Sequence, residues 1–191
     1  IKNKNQNFYE QERDLFKLIL HSNTVTFEGR FDEIHKAELL KNKKIIKISG
    51  KSGIGKTSFV CKLINIIDAD YKDYFFAGDC LGKGDLNDVF RYFIYNLGFD
   101  KNVKMSEQNL LDYFYSCLWK LELDKKYLFV IDALDQIETY GQMPPNEIIE
   151  ISKIPNNVIF IVSGINLKNS DIVLTNLKKD EIISIIFKKT D

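Results

Sequence analysis

Ile45-Ile46-Lys47-Ile48-Ser49-Gly50-Lys51-Ser52-Gly53-Ile54-Gly55-Lys56-Thr57 sets an apolar run against a glycine-rich octapeptide, and a segment of helical period follows. Strand, loop and helix in that order are the setting a phosphate-binding loop requires. Glycines at 50, 53 and 55 remove the side chains that would hold the backbone away from a compact anion, so successive N–H groups can turn inward as a nest. The helix beginning near Gly55 adds its unpaired first-turn donors and the positive end of its dipole, which predicts a β-phosphate over the amides of residues 53 to 57. Ser52 and Ile54 complete the same cradle. Lys56 then bridges the β- and γ-phosphates, Thr57 offers a hydroxyl to magnesium, and Ser58 reaches the α-phosphate. Four fixed positions in eight match by accident in a chain of this length at a rate on the order of one per cent. The stretch implies a nucleoside triphosphate and Mg2+ as ligands.

Composition narrows the class. With 191 residues, 45% of them hydrophobic, the chain can bury one full α/β core. Lysine plus arginine (27) equal aspartate plus glutamate (27), and the longest basic cluster is Lys41-Asn42-Lys43-Lys44, best read as a solvated turn before the first strand. The electrostatic footprint of a dedicated nucleic-acid binder is missing, so direct nucleic-acid binding is not expected. Cys61, Cys80 and Cys117 are odd in number, widely spaced and set among apolar residues, which suits reduced, packed thiols and a cytoplasmic location. No apolar stretch approaches the length of a membrane span, and no secretory pattern opens the chain. The chain opens on Ile rather than Met, so its natural N-terminus is expected to lie upstream.

Along its length the pattern alternates. Phe8, Glu12, Leu15, Phe16, Ile19 and Leu20 predict an amphipathic packing helix over about 8–20. A first strand at about 45–49 leads through the loop to a helix whose buried face is Phe59, Val60, Leu63, Ile64 and Ile67. Tyr74-Phe75-Phe76-Ala77 reads as strand two. Asp85 is placed to cap a helix carrying Leu86, Val89, Phe90, Phe93, Ile94 and Leu97, with Gly98 at its C-terminal stop. Ser106 opens another, carrying Leu110, Leu111, Phe114, Leu118 and Leu121. Residues 127–131, 158–162 and 172–174 are apolar runs of the kind buried in a parallel sheet. Pro144-Pro145 marks a loop before a short helix at about 146–153. Strands and helices alternating in this way predict an α/β fold, a three-layer α/β/α sandwich over a mainly parallel five-stranded sheet.

A second chemical element is Phe129-Val130-Ile131-Asp132-Ala133-Leu134-Asp135. An acidic residue at the C-terminal end of a buried strand lies at the edge where open α/β sheets bind ligands, so Asp132 is expected to hold magnesium through its water shell. Asp135, one short turn further, is placed to orient or deprotonate an attacking water. Taken alone, an aspartate after an apolar run is more often a turn former or cap. A phosphate loop upstream reverses that preference for Asp132. Lys56, Asp132 and Asp135 are therefore the candidate catalytic residues, with Thr57 and Asp132 on the metal.

These two elements resemble the Walker A and Walker B motifs of the STAND class of signal-transduction ATPases, which includes NACHT and NB-ARC modules of immune receptors and bacterial antiphage relatives. Phe27-Glu28-Gly29-Arg30-Phe31-Asp32-Glu33-Ile34 is similar to the "GRe-x-E" box ahead of the loop in that class, where it borders adenine and ribose, which implies that role for Arg30. Phe75-Phe76-Ala77 and Leu86 to Gly98 are similar to its second strand and following helix. Leu174-Thr175-Asn176-Leu177-Lys178-Lys179-Asp180-Glu181-Ile182-Ile183 resembles its "L-x-x-L-x-x-x-E-A" lead into a helical lid. The likeness covers about residues 27–187. It implies an N-terminal helix and linker at 1–26, a nucleotide-binding domain at 27–175 and the start of a truncated lid at 176–191. It further implies an ATP/ADP switch that self-associates and activates a fused effector, with antiviral defence as one setting.

Two departures bear on turnover. Gln136 stands where the class commonly has glutamate, and Val162-Ser163-Gly164 stands where it often has Thr-Ser-Arg. The missing arginine removes a usual γ-phosphate sensor; Ser163 offers a hydrogen bond there but no charge. Slow or absent hydrolysis of ATP is expected. A working AAA+-like loader or motor shares both Walker motifs but ordinarily carries glutamate directly after the first aspartate, where this chain has Ala133. A P-loop GTPase is suggested by Asp79-Cys80-Leu81-Gly82 and Lys188-Lys189-Thr190-Asp191, yet Lys188 replaces the asparagine needed and Asp79 comes early. A phosphoryl-transferring kinase lacks its basic lid here, and a degenerate scaffold would not need Lys56, Thr57 and Asp132 intact.

Overall fold

Isoleucines at 45, 46 and 48 are β-branched and apolar on both sides of the chain, which suits a strand covered on both faces, and Ile45–Gly50 forms β1. The computed structural model describes residues 2–25, 27–81, 85–99, 107–137 and 149–188. Around β1 stand β2 (Tyr71–Phe76), β3 (Tyr127–Asp132), β4 (Val158–Gly164) and β5 (Ile172–Leu174). Their order is β2-β3-β4-β1-β5, and every pairing is parallel. The five expected strands and the parallel sheet are all present. β4 lies between β1 and β3, with Ile48 opposite Ser163 and Ile131 opposite Val162, so the three strands end together at one edge of the sheet.

Side chains alternate across the sheet, and each face has its own helices. Phe129 of β3 and Phe160 of β4 stack at 5.4 Å on one face. Phe93 of α4 (Leu86–Asn96) and Phe114 of α5 (Glu107–Leu118) cover them, with ring centroids 5.2 and 6.0 Å from Phe129. α3 (Lys56–Ile66) covers the other face and buries Phe59, Val60, Leu63 and Ile64. This is the three-layer arrangement that the alternating pattern predicts. Asp85 caps α4 by accepting the Asp88 N–H at 2.8 Å, and Gly98, at φ 79°, supplies the left-handed residue that stops it.

The first helix is longer than its apolar period suggests: α1 runs from Lys2 to Val25. It packs along α3 and over β2, where Phe16 is fully buried against Phe75, Phe76 and Tyr92 at 5.2–5.5 Å. Between α1 and β1 stands α2 (Phe31–Leu39), and α6 (Lys179–Lys188) follows β5.

Two element boundaries need correction. β2 starts at Tyr71 rather than Tyr74, and Ala77 belongs to a 3-10 turn, Ala77–Asp79, instead of the strand. Lys72 and Asp73 hid the start because both are polar; Lys72 donates to the Ile64 carbonyl at 2.8 Å, and buried Asp73 accepts from the Asn96 amide at 3.0–3.1 Å. Of the helix expected near 146–153, the described part, residues 149–153, holds a 3-10 turn over Ile151–Lys153. Residues 146–148, Pro144-Pro145 and the expected cap Ser106 lie outside the described residues. Among the described residues no helix is long and apolar enough to cross a membrane.

Candidate functional site

The loop that leaves β1 depends on two different properties of glycine. At Gly53 and Gly55 the backbone is left-handed, φ 73° and 90°, while a Cβ would meet nothing within 4 Å, so conformation alone requires glycine there. At Gly50 the reason is space: a Cβ would come within 2.8 Å of Ile54 Cγ2 and 3.1 Å of the Leu174 carbonyl. α3 begins immediately beyond, with Gly55 as its N-cap, a residue that has no side chain to accept from the first N–H groups. Open amides at a helix start, reached through two left-handed glycines, make an anion cradle.

Lys56 folds back across this loop, its ammonium donating to the carbonyls of Gly50 at 2.9 Å and Lys51 at 3.0 Å. Thr57 points the other way, into the sheet edge, and its hydroxyl donates to Asp132 Oδ2 at 2.6 Å. That bond crosses over the end of β4, whose Ser163 hydroxyl donates to Asp132 Oδ1 and accepts the Ala133 N–H at 3.1 Å. Asp132 is only 2% exposed and Ser163 fully buried. Burial raises the Asp132 pKa above the ordinary carboxylate value, against the opposing pull of Ser163, Thr57 and the Lys56 charge. A hydroxyl and a carboxylate aimed at one point beside an anion cradle are hard oxygen donors suited to Mg2+ sharing its shell with phosphates. Thr57 and Asp132 are the residues that would hold the ion.

The remaining expected residues are less uniform. Asp135 is exposed in the turn after β3 and accepts the Ile165 N–H through Oδ1 at 2.7 Å, tying that turn to the one after β4. The Ser163 hydroxyl, expected to offer a hydrogen bond at the γ-phosphate, here donates to Asp132. Ser58 donates to Asn23 Oδ1 on α1 at 2.7 Å. Ser52 is exposed on the loop, and Ile54 is half-buried. Arg30 is 4% exposed and left-handed at φ 58°. Its guanidinium donates to the Ile54 carbonyl at 2.7 Å and to Glu33 Oε1 at 3.2 Å, and its backbone N–H donates to Glu181 Oε1 at 2.5 Å. Gln136 lies against Gly78, where a Cβ would meet its Oε1 at 2.7 Å.

Sequence reading missed Asn23 altogether and saw Glu181 only as part of a helix lead-in. Asn23 sits in the last turn of an amphipathic helix with nothing local to mark it. Glu181 is three residues beyond Lys178 and returns to its N–H at 2.9 Å, which is half of a capping box and was open to detection. No disulfide joins the three cysteines, and burial pushes the Cys61 thiol up to about 12, as expected of a packed, inert group. A cleft of about 520 Å³ lined by Ala37, Lys43, Leu63, Ile67 and Val158 lies at the opposite, N-terminal end of the strands and contains none of these residues.

A parallel sheet with the phosphate loop after β1 and an acidic residue at the C-terminal end of β3 defines a P-loop NTPase fold. Solved structures agree with the fold. The chain is similar to the Aeropyrum pernix ORC1 protein in complex with DNA, at 14% identity and a TM-score of 0.62, covering 86% of this chain and 50% of that one. It is also similar to Cdc6p from Pyrobaculum aerophilum, at 16% identity and a TM-score of 0.60, covering 84% of this chain and 48% of that one. The chain thus spans about half the length of the solved structures it matches. No family model and no curated protein sequence matches it.

Proposed function

We propose that the chain is an ATP/ADP-binding, Mg2+-dependent switch domain of the STAND type, in which nucleotide exchange drives self-association and activation of a fused effector. The observation that carries the nucleotide and metal part of this reading is the bond between Thr57 and Asp132 at 2.6 Å beneath the left-handed glycines 53 and 55. The switch part rests on the resemblance of residues 27–34, 50–57, 129–135 and 174–183 to that class. Bound Mg2+ would neutralise phosphate charge there. Lys56, at present bonded to loop carbonyls, would turn its ammonium to the β- and γ-oxygens, while Thr57 and Asp132 set the position of the ion. The switch requires the two nucleotides to bind two conformations with different affinity, since equal binding shifts nothing. Ser58, Ser52 and Ile54 belong to the loop wall in this reading.

Slow hydrolysis follows from what surrounds Asp132. Ala133 gives no carboxylate beside it, Ser163 carries no charge, and one oxygen of Asp135 is already committed to Ile165. Asp135 would orient water only through its other oxygen.

An actively hydrolysing AAA+-like ATPase is the second reading, favoured by the likeness to ORC1 and Cdc6p. One of those structures is a DNA complex, so the likeness gives no support to the expectation from charge that this chain avoids nucleic acid.

The test is to denature the purified intact protein and identify the released nucleotide by chromatography, with Lys56→Ala as control. Stoichiometric ADP that the variant lacks is the expected result. Guanine nucleotide would sink the adenine assignment, and an empty site with rapid turnover of added ATP would favour the loader or motor. DNA-stimulated turnover would further separate that reading from a switch.

A further inference from the structure

We propose that Arg30 is a positioning residue for the phosphate cradle and that Glu181 on α6 sets Arg30, so that the helix following β5 governs how well the loop is shaped for phosphate. The inference rests on the nucleotide reading above and adds a residue pair and a linkage to it.

The physical argument begins with one peptide plane. In a trans peptide the carbonyl of residue 54 and the N–H of residue 55 point in opposite directions, and the described chain has no cis bond. Arg30 Nη2 donates to the Ile54 carbonyl at 2.7 Å, so the guanidinium holds that oxygen on its own side and turns the Gly55 N–H to the other. Gly55 needs such a restraint because glycine crosses between left- and right-handed backbone at little cost. The guanidinium is well placed to act as a fixed brace: it is nearly buried, its second arm is held by Glu33 at 3.2 Å, and its planar fork loses little freedom per bond formed.

Arg30 itself is held in a conformation that non-glycine residues seldom adopt. Its carbonyl receives the Ile34 N–H at 2.9 Å and so starts α2, while its own N–H is taken by Glu181 Oε1. The other carboxylate oxygen of Glu181 caps α6 through the Lys178 N–H. Lys178 in turn pairs with Asp32 at 2.5 Å in the first turn of α2. Each part of one carboxylate therefore serves a different element. Where α6 goes, the backbone of residue 30 follows, and with it the donor on Ile54. A Cβ on Gly29 would stand 3.5 Å from both Glu181 and Leu177, which shows how closely α6 is seated there.

This role differs from reading adenine or ribose, and phosphate without a base separates the two. Calorimetric titration of the intact protein with Mg·ATP and with Mg·tripolyphosphate gives the comparison, using wild type, Lys56→Ala, Arg30→Ala, Arg30→Lys and Glu181→Ala. Arg30→Ala is expected to weaken both ligands by the same factor, about tenfold or more, with Arg30→Lys intermediate. Glu181→Ala is expected to weaken both about threefold to tenfold, and to add nothing in the Arg30→Ala background, because its influence passes through the guanidinium. If Arg30→Ala fails to fold, Arg30→Lys and Glu181→Ala still decide. Loss confined to ATP, no loss at all, additive effects of the two positions, or wild type that binds Mg·ATP yet ignores tripolyphosphate would each overturn the proposal. Wild type that binds neither ligand would instead remove the nucleotide reading on which it rests.

Discussion

Asp132 shows how one buried carboxylate can be costly for folding and necessary for binding. Its folded pKa lies above the unfolded one because burial penalises the charge. The sign follows: its contribution to stability is complete below the ordinary carboxylate pKa and is lost as pH rises through the raised folded value. Magnesium needs the ionised form, so metal binding runs the other way and weakens as pH falls. Asp132→Asn should therefore leave the ligand-free protein as stable at pH 8 or more so, and abolish the rise in melting temperature that Mg·ATP produces; thermal melts with and without Mg·ATP check both. Glu12 obeys the same rule away from the site. It lies on the buried face of α1, accepts the Leu81 N–H at 3.2 Å, and has a pKa pushed up to about 7 by burial, with the Asp88 charge adding to it. Stability from this group is complete below about pH 4.5 and lost as pH rises through about 7. Glu12→Gln should flatten the pH dependence of unfolding between about pH 5 and 8, a difference on the order of 1–3 kcal/mol readable from urea titrations. An unchanged slope would place the titration elsewhere.

Elements rather than residues decide how α1 relates to the nucleotide loop. Ser58, in the first turn of α3, is bonded to Asn23 of α1, and Asn65 further along α3 donates to Thr24 at 2.8 Å. If Ser58 turns to the α-phosphate on binding, it must first leave Asn23, so nucleotide and α1 compete for one hydroxyl. Asn23→Ala should raise Mg·ADP affinity about twofold to fivefold, measured by calorimetry, whereas lowered affinity would mean that Asn23 holds Ser58 ready. Phe16→Ala tests the docking itself. Removing a ring fully enclosed by Phe75, Phe76 and Tyr92 should cost about 3–5 kcal/mol in chemical denaturation. Much of this level was legible beforehand. Residues 127–131, 158–162 and 172–174 of β3, β4 and β5 are unbroken apolar runs, β1 carries isoleucines at 45, 46 and 48, and Asp85 and Gly98 mark α4 at both ends. The start of β2 was not legible, since Asp73 is accommodated in a buried strand by donors that include the Asn96 amide, 23 positions away on α4, and the Tyr71 hydroxyl. In the same way Lys56, Thr57 and Asp132 were readable from spacing, but the commitment of Ser163 to Asp132 and of Arg30 to Ile54 depends on which strands and loops meet.

At the scale of the whole molecule, the site unites three strand ends that only the sheet order brings level. Ligand should therefore stabilise the fold globally: saturating Mg·ATP at a hundred times its dissociation constant is worth about 2.7 kcal/mol of unfolding free energy. If the switch reading holds, sedimentation of the intact protein should show small species with ADP and larger ones with Mg·ATP; identical profiles would count against it. The strand order has a further consequence for how the protein is made. Both neighbours of β1 in the sheet, β4 and β5, follow β2 and β3 along the chain among the described strands. During synthesis the phosphate-loop strand emerges early and waits, with both of its hydrogen-bonding edges open, until residues 158–174 have left the ribosome. Nascent chains halted before that point hold an apolar strand without partners, which makes them clients for chaperones and leaves nucleotide unable to assist until the sheet is almost complete.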